Sequence, residues 1–118
     1  MASENERWGR LEVEDEVERW LRLLSDRHRA LVARHVERLE TEGVHLGEPH
    51  TRQLQGKLRE LRLSLGGQHF RVTYVIGKGR RIILLTVFRK ESRREAREIV
   101  RAARVMAAIL DEEQDDES

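Results

Sequence analysis

Residues 56–91 read GKLRELRLSLGGQHFRVTYVIGKGRRIILLTVFRKE, and this stretch decides the fold. Val72, Tyr74 and Ile76 alternate with other residues, the mark of a strand with one buried face. Ile82 to Val87 is almost unbroken apolar, the mark of a strand covered on both faces. Gly66-Gly67 and Gly77-Lys78-Gly79 are turn signals of hairpin length. The pattern predicts three antiparallel strands, at roughly 58–65, 68–76 and 81–88. On the first, Leu61, Leu63 and Leu65 share a face opposite Glu60, Arg62 and Ser64. On the second, Phe70, Val72, Tyr74 and Ile76 oppose His69, Arg71 and Thr73. The polar positions of the whole stretch carry Lys57, Arg59, Arg62, Arg71, Arg89 and Lys90 with few carboxylates, which suggests a surface for phosphate.

Outward from the strands, Val13, Val17, Trp20, Leu21 and Leu24 fall at helical spacing and predict a helix over 12–24. Ser25 or Asp26 caps a second helix at roughly 26–42, with Leu31, Val32, Val36 and Leu39 as its stripe. The break between them is short, so an antiparallel αα-hairpin is expected. Gly43 ends the second helix and Pro49 fixes the exit of the loop that follows. After the strands, Ser92 caps a last helix over 92–111, with Ala96, Ile99, Val100, Ala103, Met106 and Leu110 along one stripe. The tail DEEQDDES lacks apolar residues and is expected to fray. The fold expected is α+β: an N-terminal αα-hairpin, a three- to four-stranded antiparallel sheet and a C-terminal helix. The domain organisation is a flexible segment 1–11, one domain 12–110 and a disordered acidic tail 111–118.

The chain has 118 residues, 38% hydrophobic and 38% charged, which suits one small core under a charged surface. It has no cysteine, so a disulfide framework, a thiolate metal site and a thiol nucleophile are excluded. No run is long enough for a transmembrane helix and the acidic N-terminus does not resemble a signal peptide, so a cytoplasmic protein without membrane contact is expected. The net charge of +1 hides an asymmetry. Residues 1–49 hold 8 Lys/Arg against 12 Asp/Glu, residues 50–104 hold 15 against 4, and residues 105–118 hold none against 6. A basic middle between acidic ends points to an anionic partner for the middle.

No GxSxG, P-loop, HExxH or metal-ligand cluster is present, and no cofactor is expected. His28, His35, His45 and His50 read as surface or packing histidines. His69 stands apart, because it shares the open sheet face with Arg71. Cutting RNA by attack of a ribose 2′-OH needs a base, cations for the phosphorane charge and an acid for the leaving 5′-oxygen. Arg suits the second task through its bidentate, permanently charged fork. Lys or His suits the proton transfers once neighbouring cations lower its pKa. No metal is required. The same cations could bind nucleic acid or an acidic peptide without chemistry.

The succession Glu42-Gly43-xx-Leu46-Gly47-x-Pro49, Leu54-x-Gly56-x-Leu58, Glu60-Leu61-Arg62, Arg71-Val72-x-Tyr74, then Ile83-Leu84-Leu85 with Phe88-x-Lys90, resembles the RelE/ParE toxin superfamily. More narrowly it is similar to the phage-derived HigB-like subgroup, over about residues 12–108. The resemblance implies a RelE-like fold and the toxin of a type II toxin–antitoxin pair, an mRNA interferase acting with the ribosome. It implies as partner a cognate antitoxin, in this subgroup a helix-turn-helix DNA-binding protein, in a toxin–antitoxin hetero-oligomer. It places Arg71 at the scissile phosphate, with Arg62 and Lys90 as the other matching cations. Lys57, Arg59, Arg89 and Arg93 are the candidates for further phosphate contacts. Two departures stand out: Glu91 replaces the second Lys of a Phe-x-Lys-Lys pattern, and no Tyr or His follows Tyr74. They shift the proton transfers to His69, Lys57 or Lys90. The alternatives are a ParE-like inhibitor of DNA gyrase and a non-catalytic member that binds its antitoxin and regulates its own operon.

Overall fold

The structure, a computed structural model, describes residues 7–91 and 93–115. In chain order the elements are β1 (Arg10–Val13), α1 (Asp15–Leu23), α2 (Asp26–Glu42), β2 (Thr51–Gln55), β3 (Leu58–Leu65), β4 (Gln68–Gly77), β5 (Arg81–Arg89) and α3 (Glu95–Asp115). The strands form one sheet in the order β1-β5-β4-β3-β2. Strands β2 to β5 are antiparallel neighbours, and β1 lies parallel to β5. The fold is therefore α+β, with the three central strands where alternation places them.

The sheet is larger than expected and mixed rather than antiparallel. Both extra strands are edges. In β1, Leu11 pairs with Ile82 and Val13 with Leu84. The first helix accordingly begins at Asp15, and a strand, not a helical hairpin, comes first. Trp8 and Gly9 are also placed, because both donate backbone N–H bonds to the Glu40 carbonyl, at 2.7 and 3.1 Å. Gly43, with φ +52°, ends α2 here, and a Cβ on it would sit 2.1 Å from the Trp8 ring, so only glycine fits. Residues 1–6 of the predicted flexible segment lie outside the described residues.

The two helices after β1 pack mainly on the sheet: α1 on β5 and α2 on β3. Ser25 caps α2 by accepting from the His28 N–H at 3.1 Å. Arg29 turns back and donates to the carbonyls of Leu21, Arg22 and Leu24, which closes the open end of α1. Even residues of β4 and odd residues of β3 face these helices, and Leu61, Leu63, Leu65, Val72 and Tyr74 join Val17, Val32, Val36 and Leu39 in one core. Trp20 packs on Phe70 with ring centroids 5.5 Å apart.

The opposite face is divided. Leu58, Val75, Ile83 and Leu85 form a second core with Ala102 and Ile109 of α3. Past a β-bulge in β5, between the Thr73↔Thr86 and Tyr74↔Leu84 pairs, the same face turns polar. The Thr73 hydroxyl oxygen accepts the Thr86 N–H at 3.1 Å and lies 2.5 Å from the Thr86 hydroxyl, so the bulge is satisfied internally. Helix α3 runs to Asp115, beyond the predicted end at 111. Glu113 is buried and accepts from the Arg81 guanidinium and the Lys78 N–H, at 2.8 and 3.1 Å. The predicted Ser92 cap and tail residues 116–118 lie outside the described residues. No described helix is long and apolar enough to cross a membrane.

Candidate functional site

The polar half of the α3-side face is built by register. Arg62 of β3 lies opposite Arg71 of β4, and Arg71 opposite Phe88 of β5. One step outward, Ser64 lies opposite His69. One step inward, Glu60 faces Thr73 on one side and Arg52 of β2 on the other. The two-residue period puts all these side chains on one surface. Arg52, Arg62, Glu60 and Arg71 therefore share a basic floor with a single carboxylate in it.

Arg71 is not presented freely. It is 4% exposed and Glu60 is 1% exposed. Its Nε lies 3.7 Å from Glu60 Oε1, too long for a hydrogen bond, and its Nη1 donates to the Phe70 carbonyl at 3.0 Å. Both Arg71 Nε and Glu60 Oε2 are buried with no hydrogen-bond partner. Burial pushes the Glu60 carboxyl above the usual carboxylate range, and burial likewise pulls the Arg71 guanidinium down. Glu95, from the first turn of α3, is a further negative charge felt by both.

Arg62 is half-buried and forms no ion pair among the described residues. At the outer end, Ser64 Oγ lies 2.9 Å from His69 Nδ1, which orients the ring and leaves Nε2 free. The Lys90 N–H donates to the His69 carbonyl at 2.8 Å, so the end of β5 brings exposed Lys90 beside His69. Arg93 is exposed just before α3. Arg62, Arg71, His69, Lys90 and Arg93 thus gather at one end of the sheet.

The other candidates stand apart. Arg59 is opposite Tyr74 in register and donates to the Tyr74 hydroxyl at 3.2 Å and to Thr51 Oγ1 at 3.0 Å. It lies on the α1–α2 side of the sheet and serves packing. Its spacing from Leu61, two residues on, already signals that side. Lys57 lies in the β2–β3 turn, seven residues from Ser64, roughly 23 Å of extended strand. It lines a recess with Gly77, Lys78, Leu110 and Glu113 at the opposite end. Arg89 pairs in register with Phe70, so it sits on the α1–α2 side at the rim, bonded to Glu91 at 3.1 Å. The residue that sequence reading left without a role is Glu60. The available signal is a lone carboxylate in the middle of a basic strand face.

Chemically, the group offers permanent cations at Arg62 and Arg71, a free imidazole nitrogen at His69 and an exposed amine at Lys90. That set can hold a phosphate and move protons around it. The chain matches the family described as phage derived protein Gp49-like (DUF891) over residues 19–107. No curated protein matches it.

Proposed function

We propose that this chain, which belongs to the phage-derived Gp49-like family, is the toxin of a type II toxin–antitoxin pair and cuts mRNA on the ribosome. In the reaction, a ribose 2′-oxygen bonds to the adjacent phosphorus while the bond to the 5′-oxygen breaks. A 2′,3′-cyclic phosphate and a 5′-hydroxyl result. Arg62 and Arg71 hold the developing phosphorane charge. His69 and Lys90 take the hydroxyl proton and return one to the leaving oxygen. Arg93 binds the next phosphate.

The observation that carries this reading is the cross-strand pairing of Arg62 with Arg71 next to His69 and Lys90, at one end of the sheet. A second feature supports a protein partner. Leu11, Val13, Leu21, Val32, Val36 and Leu84 line an apolar groove of about 320 Å³ between β1, α1 and α2. It suits the antitoxin, which the RelE/ParE and HigB-like resemblance makes a helix-turn-helix protein. One observation favours the non-catalytic alternative: Glu91 holds both Arg89 and Arg94, which reduces the positive charge at the rim.

The test is induced expression without antitoxin, with primer extension on a reporter mRNA, for wild type and Arg62→Ala. Arg62 is the residue to change because it forms no ion pair, so its loss leaves the fold intact. New 5′ ends are expected with wild type, reduced about 100-fold or more in the variant. Growth arrest with intact mRNA and induced DNA damage moves the protein to gyrase inhibition. Harmless expression leaves an antitoxin-binding regulator.

A further inference from the structure

Helix α3 walls the polar half of the sheet, and its outward side differs from the rest of the surface. Arg97 and Arg104 stand on it and Arg93 just before its first turn; all three are exposed and none forms an ion pair among the described residues. The spacing of seven residues aligns Arg97 and Arg104 over roughly 10 Å of helix, with Arg93 at its N-terminal end. The nearby carboxylates are engaged elsewhere. Glu91 holds Arg89 and Arg94, Glu98 holds Arg101, and Glu95 contributes its charge to the Glu60–Arg71 pair beneath. Between the arginines lie Ala96 and Val100, and beyond Arg104 lie Ala107 and Ala108, all exposed. The row starts beside Lys90 at the mouth of the site and ends at exposed Asp111 and Glu112.

From this arrangement we propose that the outward face of α3 is a track for the phosphates of single-stranded RNA leaving the cleft. The inference rests on the mRNA-cleaving reading and extends it to the length of substrate held. Charge is the only strong recognition element on this face. A protein interface would need a buried aromatic or large aliphatic anchor, and the face offers only alanines and Val100. Small side chains between the cations let a sugar-phosphate backbone come close. The position of the cations also costs stability, since Arg93, Arg94 and Arg97 crowd the positive end of the α3 dipole. The same dipole and the helix's free N–H groups favour an anion there. The acidic residues at the far end repel phosphate and bound the track.

The experiment compares two 2′-O-methyl RNAs, which cannot be cut through a 2′-hydroxyl, one of about four nucleotides and one of about twelve. Binding to the full-length protein is measured by anisotropy over a range of salt. Wild type is expected to prefer the longer RNA by about tenfold, and Arg97→Gln/Arg104→Gln to lose most of that preference. The slope of log K against log salt falls by about 1.4, the value for two phosphates on a single strand. Arg97→Lys/Arg104→Lys restores it. Circular dichroism and melting of each variant separate loss of the track from loss of fold.

Equal affinity of wild type for both lengths overturns the track. So does an unchanged length preference in a folded glutamine variant. Loss of antitoxin affinity in that variant with RNA binding intact assigns the face to a protein and also overturns it. Primer extension on the same wild-type protein reports on the function separately. New 5′ ends without a length preference sink the track alone. A length preference without new 5′ ends keeps the track and sinks the cleavage.

Discussion

Arg81 and Arg71 both meet glutamates across the sheet, and they do so in opposite ways. Arg81 is a fastener. It donates through Nε and Nη2 to the two oxygens of Glu12, at 2.5 and 2.9 Å, and through Nη1 to Glu113 at 2.8 Å. One guanidinium thereby ties β1, β5 and the end of α3 together. The hydrogen bonds from Arg81 hold the Glu12 carboxyl below the usual carboxylate range, and Glu12 holds Arg81 above its already high value. Arg71 is deeper and worse paired. It meets Glu60 at 3.7 Å without a hydrogen bond, and each partner keeps a buried polar atom unmatched. Cations that build the fold are fully matched here, whereas the pair on the candidate site retains unmet hydrogen-bonding capacity. An anion can meet only the Arg71 Nε; the Glu60 oxygen needs a hydrogen-bond donor.

The largest expected effect comes from breaking the buried pair. Arg71→Ala leaves Glu60 buried without its cation, at a cost of about 3–5 kcal/mol near neutral pH, read from urea unfolding. Acid should relieve it. A carboxyl whose folded pKa is raised contributes stability below its unfolded value and loses that contribution as pH rises through the folded one. Removing Arg71 raises Glu60 further, so the deficit shrinks as pH falls from neutral towards the reference 4.5. Glu60→Leu/Arg71→Met, which removes both charges and keeps the volume, should be within about 1 kcal/mol of wild type or more stable. A double variant as damaged as Arg71→Ala would show that the pair is a fastener after all, and the contrast with Arg81 would fall.

Arg81→Ala should cost less, about 1–2 kcal/mol, because Arg81 and Glu12 are reachable by water and buried Glu113 keeps the Lys78 N–H. Its pH dependence is the sharper test. Glu12 has a lowered folded pKa, so its contribution is present above the reference 4.5 and lost as pH falls through the lower folded value. The Arg81→Ala deficit should hold from pH 7 to about pH 5 and fade only below that. The two arginine variants would then recover in separate pH windows. Coincident recovery would mean that Glu60 is not the group that titrates in Arg71→Ala.

The same contrast explains what the sequence revealed. Strands β3 and β4 were legible because their apolar sets alternate, β5 because its apolar run is nearly continuous, and glycine turns separate the three. The order of faces followed, and with it the meeting of Arg62, Arg71 and His69. Strand β1 was not legible. Leu11 and Val13 alternate, but Val13 also continues the helical spacing of Val17, Trp20 and Leu21, and only the distant partner β5 decides between the two. Strand β2, TRQLQ, has one apolar residue because it is an edge, where polar side chains discourage further pairing. The last turn of α3 has no apolar signal either; the seat for Glu113 is made by Arg81 and Lys78, more than thirty residues earlier. Of the candidate site, residue types were visible and pairing state was not. Nothing local in Glu-Leu-Arg says that Glu60 is buried while Arg62 remains unpaired.

The smallest expected effect concerns a third kind of site, where a neutral group sits beside a cation. His35 is held below the usual imidazole range by burial first, then by Arg38 and His50. The Arg38 Nη1 lies 3.2 and 3.0 Å from the two ring nitrogens of His50. A histidine with a lowered folded pKa contributes stability above its unfolded value, near 6.5, and loses it as pH falls through the folded value. The melting temperature should therefore start to fall below about pH 6.5, before the Glu12 window opens. His35→Gln should flatten that first part of the slope, with a change of about half a kcal/mol or less at pH 7.5. If the slope between pH 6.5 and 5 is the same in His35→Gln, the early loss belongs to another group, and His28, His45, His50 and His69 are the ones to change next.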